Sequence, residues 1–116
     1  MKFPTYIKIG SIFFDVVQID NLINSEKDKI LNGEIKYNLS QIRLESNQQN
    51  TVKRLTLLHE IMHGVAAYGC IEREIVENDI ERMTNLWATV LLDNPDFLDL
   101  WREEGIARIE QKEGKK

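Results

Sequence analysis

The chain contains two histidines, and both fall in one five-residue stretch, His59-Glu60-Ile61-Met62-His63. That spacing constrains the fold more than any other feature. Residues four apart on a helix lie one turn apart on the same face, so a helix through this stretch carries both imidazoles to one point. The preceding Leu55-Thr56-Leu57-Leu58 favours such a helix. Two converging imidazoles suit a tetrahedral ion, and Glu60, beside the first, reaches a water on that ion more readily than the ion itself. The pattern reads as a zinc hydrolase motif, with His59 and His63 as ligands of Zn2+ and Glu60 as general base.

Composition sets the frame around the motif. With 116 residues, 42% hydrophobic and 29% charged, the chain reads as one soluble globular domain over residues 1–116. The 15 Lys and Arg against 19 Asp and Glu leave a net charge of -4, which argues against nucleic acid or an anionic membrane as the main partner. No apolar run approaches the roughly 20 residues of a membrane helix, and the first residues lack a signal-peptide core. The single cysteine, Cys70, permits no internal disulfide and fits a reducing compartment. These features lead to the expectation of a cytoplasmic protein.

Residues 5–46 read as a sheet region, residues 47–111 as helical, and residues 112–116 as a frayed tail. Thr5–Ile9 and Ile12–Ile19 are expected strands around a Gly10-Ser11 turn. Asn32-Gly33 turns the chain into a strand over Glu34–Tyr37, and Gln41–Glu45 returns with Ile42 and Leu44 on one face. Ser46 and Gln49 form a capping-box pattern opening a helix that ends at Gly69, with Val52, Leu55, Met62 and Ala66 as its apolar stripe and Lys53-Arg54 as solvated surface. A second helix is expected from about Ile71 to Leu92, with Ile80, Met83, Trp87 and Val90 on its apolar side. Asn94-Pro95 caps and starts a third, which Phe97, Leu98 and Trp101 would dock. The pattern predicts an α+β fold: a small antiparallel sheet, then the motif helix and one or two further packed helices.

An open zinc site needs a third protein ligand. With no histidine left, a carboxylate between Glu72 and Glu81 or the Cys70 thiolate must serve. Glu77 and Glu81 are one turn apart on the second helix, and face geometry leaves both open. The stretch Thr56-Leu57-Leu58-His59-Glu60-Ile61-Met62-His63, with Glu81-Arg82-Met83-Thr84-Asn85-Leu86-Trp87-Ala88 and Asn94-Pro95, resembles the ImmA/IrrE-type metallopeptidases, in particular their short phage- and prophage-encoded members. The resemblance spans residues 33–95. It implies a zincin-like fold and places the metal-binding glutamate on Glu81, with Glu77 as second choice or as an acceptor that orients a ligand histidine. Met62 stands where many members have Gly, and Met83 where some have a second Glu.

The motif and the resemblance together imply a zinc-dependent endopeptidase. Its substrate would be a protein or peptide, by analogy a regulator of a mobile genetic element. Peptidases of this kind hold substrate as an added strand, and Gln41–Ser46, running straight into the motif helix, is the expected edge. Tyr37, Tyr68 and Arg73 are candidates for an oxyanion donor. The competing expectation is a non-catalytic zinc-binding interaction module, which a sulfur ligand from Cys70 would favour.

Overall fold

The computed structural model describes residues 2–24, 29–69 and 74–114. Among them lie strands β1 (Tyr6–Ile9), β2 (Ile12–Ile19), β3 (Ile23–Asn24), β4 (Lys29–Ile30), β5 (Gly33–Lys36) and β6 (Gln41–Glu45), and helices α1 (Asn50–Tyr68), α2 (Glu77–Asp93) and α3 (Pro95–Gly114). A 3-10 turn, Tyr37–Leu39, joins β5 to β6. The fold is α+β, a four-stranded mixed sheet and three helices. The chain divides into two compact units, Met1–Asn85 and Leu86–Lys116, with the boundary inside α2. No helix among the described residues is long and apolar enough to cross a membrane.

Two antiparallel hairpins build the sheet. In the first, Ile9 pairs with Ile12 and Tyr6 with Asp15. In the second, Gly33 pairs with Leu44 and Ile35 with Ile42. They join through β2 and β6, which run parallel from Asp15↔Gln41 to Ile19↔Glu45, giving the order β1-β2-β6-β5. Two expectations are thereby corrected. The sheet is mixed, not antiparallel. Gln41–Ser46 is no edge, because β6 is paired on both sides; the edge strands are β1 and β5. The physical reason is burial: Ile42 and Leu44 are 0% exposed, and only a central strand covers both so completely. Each hairpin follows from its own turn, whereas the strands that join them are chosen by this long-range burial.

Helix α1 lies on the core of Ile9, Phe14, Ile42, Leu44 and Leu57. Its buried stripe is Lys53, Leu57, Glu60 and Gly64, at i, i+4, i+7 and i+11. Of the expected stripe Ala66 is buried, whereas Val52 and Leu55 are 40% and 37% exposed. Two glycines set how closely the helix approaches. A Cβ at Gly64 would sit 2.6 Å from Ile9 Cδ1 and 3.1 Å from Ile35 Cδ1. A Cβ at Gly33 would sit 2.5 Å from Thr56 Cγ2. The edge strand β5 and the motif helix come into contact because one of the two partners at each of these points is a glycine.

Lys53, expected in solvent, is buried. Its ammonium donates to Gln18 Oε1 at 2.7 Å and to the Ser46 carbonyl at 3.1 Å, and lies 5.6 Å from the Phe3 ring centre. The expected capping box does not form. The Ser46 N–H donates to the Ile19 carbonyl at 3.0 Å, extending the sheet ladder, and its hydroxyl pairs with Asp20. The helix therefore begins four residues later, at Asn50. Glu45 pins this corner: its buried carboxylate accepts from the Asn21 and Leu22 N–H groups at 3.1 and 2.8 Å.

Helix α2 starts at Glu77, several residues after the expected Ile71; residues 70–73 lie outside the described residues. The Val76 carbonyl accepts from Asp79 and Ile80 N–H, and Asp79 Oδ2 accepts from Val76 N–H at 3.3 Å. Glu77 and Asp79 in the first turn complement the positive end of the helix dipole. Ile80 and Thr84 are its buried residues, and Trp87, expected in the core, is 45% exposed. Helix α3, expected to dock through Phe97, Leu98 and Trp101, has no buried residue among those described. The Asn94 side chain donates to the Val90 carbonyl at 2.8 Å and closes α2, while its backbone carbonyl accepts from Phe97 N–H.

Stability should follow this division. Leu44→Ala should cost about 3 kcal/mol, through lost transfer energy and a retained cavity. Leu100→Ala, at a site 63% exposed, should change stability by less than about 0.5 kcal/mol. Urea titrations of the two variants measure both.

Candidate metal centre

Glu60 and Gly64 face the sheet, so His59 and His63, each one residue earlier, are turned about 100° away from it. That rotation carries both imidazoles to the open side of α1, beside β5. Their Nε2 atoms face each other at 3.2 Å, with ring centres 4.9 Å apart. The first residue of α2 meets them: Glu77 Oε1 is 2.8 Å from His59 Nε2, and Glu77 Oε2 is 2.8 Å from His63 Nε2.

This arrangement can be tested against a metal ion. Ligand atoms at tetrahedral zinc distances lie roughly 3.3 Å from one another. The two imidazole nitrogens lie 3.2 Å apart, at that spacing, and each has a different oxygen of the Glu77 carboxylate 2.8 Å away. The donor set, two nitrogens and one oxygen, is the kind zinc takes at open sites. Donor atoms of His59, Glu60 and His63 also lie within 4.8 Å of one another.

Glu60 is 5% exposed. Its carboxyl group opens into the cavity and makes no hydrogen bond or ion pair with any described residue. Burial, then the charge of Glu77, then that of Glu34, push its pKa up from 4.5 to about 7. A carboxyl group titrating near neutrality is suited to taking and returning a proton.

The cavity has a volume of about 680 Å³, within the range of ligand sites. Asn32, Gly33, Glu34, Ile35 and Tyr37 form the β5 wall, Val52, Leu55 and Thr56 line it from α1, and Glu77, Glu81, Thr84 and Asn85 from α2. Glu81, expected as the third ligand, lines this cavity one turn beyond Glu77, but the carboxylate touching both imidazoles is that of Glu77. Tyr37 lies on the wall, and its hydroxyl donates to the His63 carbonyl at 3.3 Å. Tyr68 lines a different, apolar hollow with Ile9, Ile12 and Phe14. Cys70 and Arg73 lie outside the described residues.

Sequence reasoning missed Glu34, the acidic residue of the β5 wall. It sits next to Gly33, and only knowledge that β5 is an edge in contact with α1 singles it out. No protein-family model matches the chain, and no curated protein or solved structure is detectably similar to it.

The raised pKa of Glu60 makes a signed prediction for the chelator-treated protein. The folded value of about 7 lies above the ordinary 4.5, so the native state favours the protonated group. Stability from this group is intact below pH 4.5, falls as the pH rises, and is fully lost above 7. Glu60→Gln removes the ionisation. Relative to wild type it should gain stability between those limits, reaching up to about 3 kcal/mol at pH 8 and almost nothing at pH 4. Denaturant melts of both proteins across that range check the sign and the plateau.

Proposed function

We propose that this chain is a zinc-dependent endopeptidase, with His59, His63 and Glu77 holding the ion and Glu60 as general base. The observation that carries the reading is two imidazole nitrogens at zinc-like spacing meeting one carboxylate, beside a buried carboxyl group titrating near 7. When bound, a zinc ion supplies Lewis acidity, acidifying a coordinated water and polarising a carbonyl oxygen. Glu60 takes the proton of the attacking water and delivers it to the departing amine, while the water oxygen ends in the new carboxyl group. A structural site would have no use for an unpaired base at this position, which favours catalysis over a docking module.

The substrate in this reading is an extended peptide. An open strand edge offers backbone groups to such a chain, and β5, which borders the cavity, provides that edge. The resemblance to the ImmA/IrrE-type metallopeptidases agrees with this chemistry, with a zincin-like reading of the α+β fold, and with a regulatory protein of a mobile element as substrate. In that family's pattern the third ligand falls on Glu81, and the variants below decide between the two glutamates.

Purified without metal-affinity steps, the wild type should hold one zinc per chain. Glu77→Ala should lower zinc affinity by at least tenfold, whereas Glu81→Ala and Glu60→Gln should retain the ion. Glu60→Gln should also reduce peptide cleavage by a factor of about 100 or more. Elemental analysis and a casein-peptide digestion read by mass spectrometry test these outcomes. Zinc lost from Glu81→Ala and kept by Glu77→Ala would move the third ligand to Glu81.

A further inference from the structure

Helix α3 belongs wholly to the unit Leu86–Lys116. At about 100° per residue, its Phe97, Leu98, Trp101, Gly105 and Ile109 fall within one stripe about 120° wide. Arg108 and Lys112 fall in the same stripe, and none of the six acidic residues of the helix does. The four apolar side chains are 41% to 62% exposed, and the Phe97 and Trp101 rings meet edge-on with centres 6.1 Å apart. Gly105 sits mid-helix, where glycine costs about 1 kcal/mol relative to alanine. A Cβ there would meet nothing within 4 Å, so no contact among the described residues calls for a glycine.

We propose that α3 is a homodimer interface, formed when the α3 helices of two copies cross antiparallel at Gly105. The stripe is complementary to itself, as a two-fold interface must be. Trp101 and Ile109 lie four residues either side of Gly105, and Leu98 and Lys112 seven. A two-fold axis at Gly105 therefore sets Trp101 of each copy against Ile109 of the other, and Lys112 against Leu98. The Lys112 ammonium then reaches the Phe97–Trp101 ring pair of the other copy, a contact that cations and aromatic faces favour. Parallel pairing would instead stack Lys112 on Lys112. Arg108 is held by Glu104 at the rim, 3.1 Å away. The separation of packed helices depends on the side chains at the contact, and Gly105 lets the backbones come close. About 100 Å² from each of the four apolar side chains and two basic stems would bury about 1,200 Å² in the pair, the low end for a specific interface. Anionic lipid is a poorer occupant, because helices that lie on membranes carry cations on their polar face, and here that face holds the acids.

Sedimentation equilibrium on the full chain tests this. The wild type should dimerise with a Kd in the micromolar range, as fits an interface of this size. Trp101→Glu and Gly105→Leu should each weaken the dimer about tenfold or more, with helix content by circular dichroism retained. Leucine favours a helix over glycine, so a dimer lost on Gly105→Leu is not lost through unwinding of α3. Leu100→Glu, exposed and off the stripe, should leave the dimer unchanged. In a Cys70→Ser background, mixed Leu98→Cys and Lys112→Cys chains should oxidise to the mixed disulfide in preference to either homodisulfide. A monomer throughout, larger assemblies, or a dimer that tolerates Trp101→Glu and Gly105→Leu would each overturn the proposal. So would a dimer lost equally on Leu100→Glu, or homodisulfides in preference to the mixed one. A monomer that binds phosphatidylglycerol vesicles through Trp101 would assign the stripe to a membrane and overturn it as well.

Discussion

One helix has to satisfy two surfaces at once. The face of α1 bearing Leu57 and Gly64 packs on the sheet, and a face rotated from it carries His59 and His63. Everything at the centre depends on how closely that packing brings α1 to β5. Gly33 against Thr56, and Gly64 against Ile9 and Ile35, remove the side chains that would hold strand and helix apart. Because the two contacts lie on either side of the histidines along α1, the edge strand runs past the imidazoles and not merely near one end of the helix. Tyr37 fastens the end of that run, donating to the His63 carbonyl.

The same packing explains the electrostatics. Placing Glu60 on the sheet-facing stripe buries a carboxyl group where an apolar residue would stabilise the fold better. Two more acids, Glu77 and Glu34, add to the cost of ionising it. In a metal-free chain this is a liability that grows with pH. A cation in the centre offsets it, since any ligand bound only by the native state adds to stability. The proposed function and the local instability thus have one origin, an excess of negative charge gathered around two imidazoles.

Much of this was legible in the sequence, and the parts that were not share a cause. The two hairpins, the inward pair Ile42 and Leu44, the motif helix and the convergence of His59 and His63 all follow from short-range periodicity and turn chemistry. The parallel pairing of β2 with β6 depends on which hairpin buries more, a comparison across the chain that no local pattern records. Misplacing β6 at the edge then hid β5, and with it Glu34. The buried stripe of α1 was misread because Lys53 and Glu60 look like surface residues, yet Lys53 is held by Gln18 and the Ser46 carbonyl. Glu77 and Glu81 occupy adjacent turns of α2, so sequence spacing left them equivalent. The structure distinguishes them because α2 begins at Glu77 and presents that residue to both imidazoles.

The account stands on one claim, that two imidazoles and one carboxylate of α2 share a single ion. X-ray absorption at the zinc edge of the wild-type protein tests it most directly. The account predicts two imidazole nitrogens and oxygen ligands, all at about 2.0–2.2 Å, with no heavier scatterer. A sulfur shell at about 2.3 Å, or a protein that takes up no zinc, would contradict it.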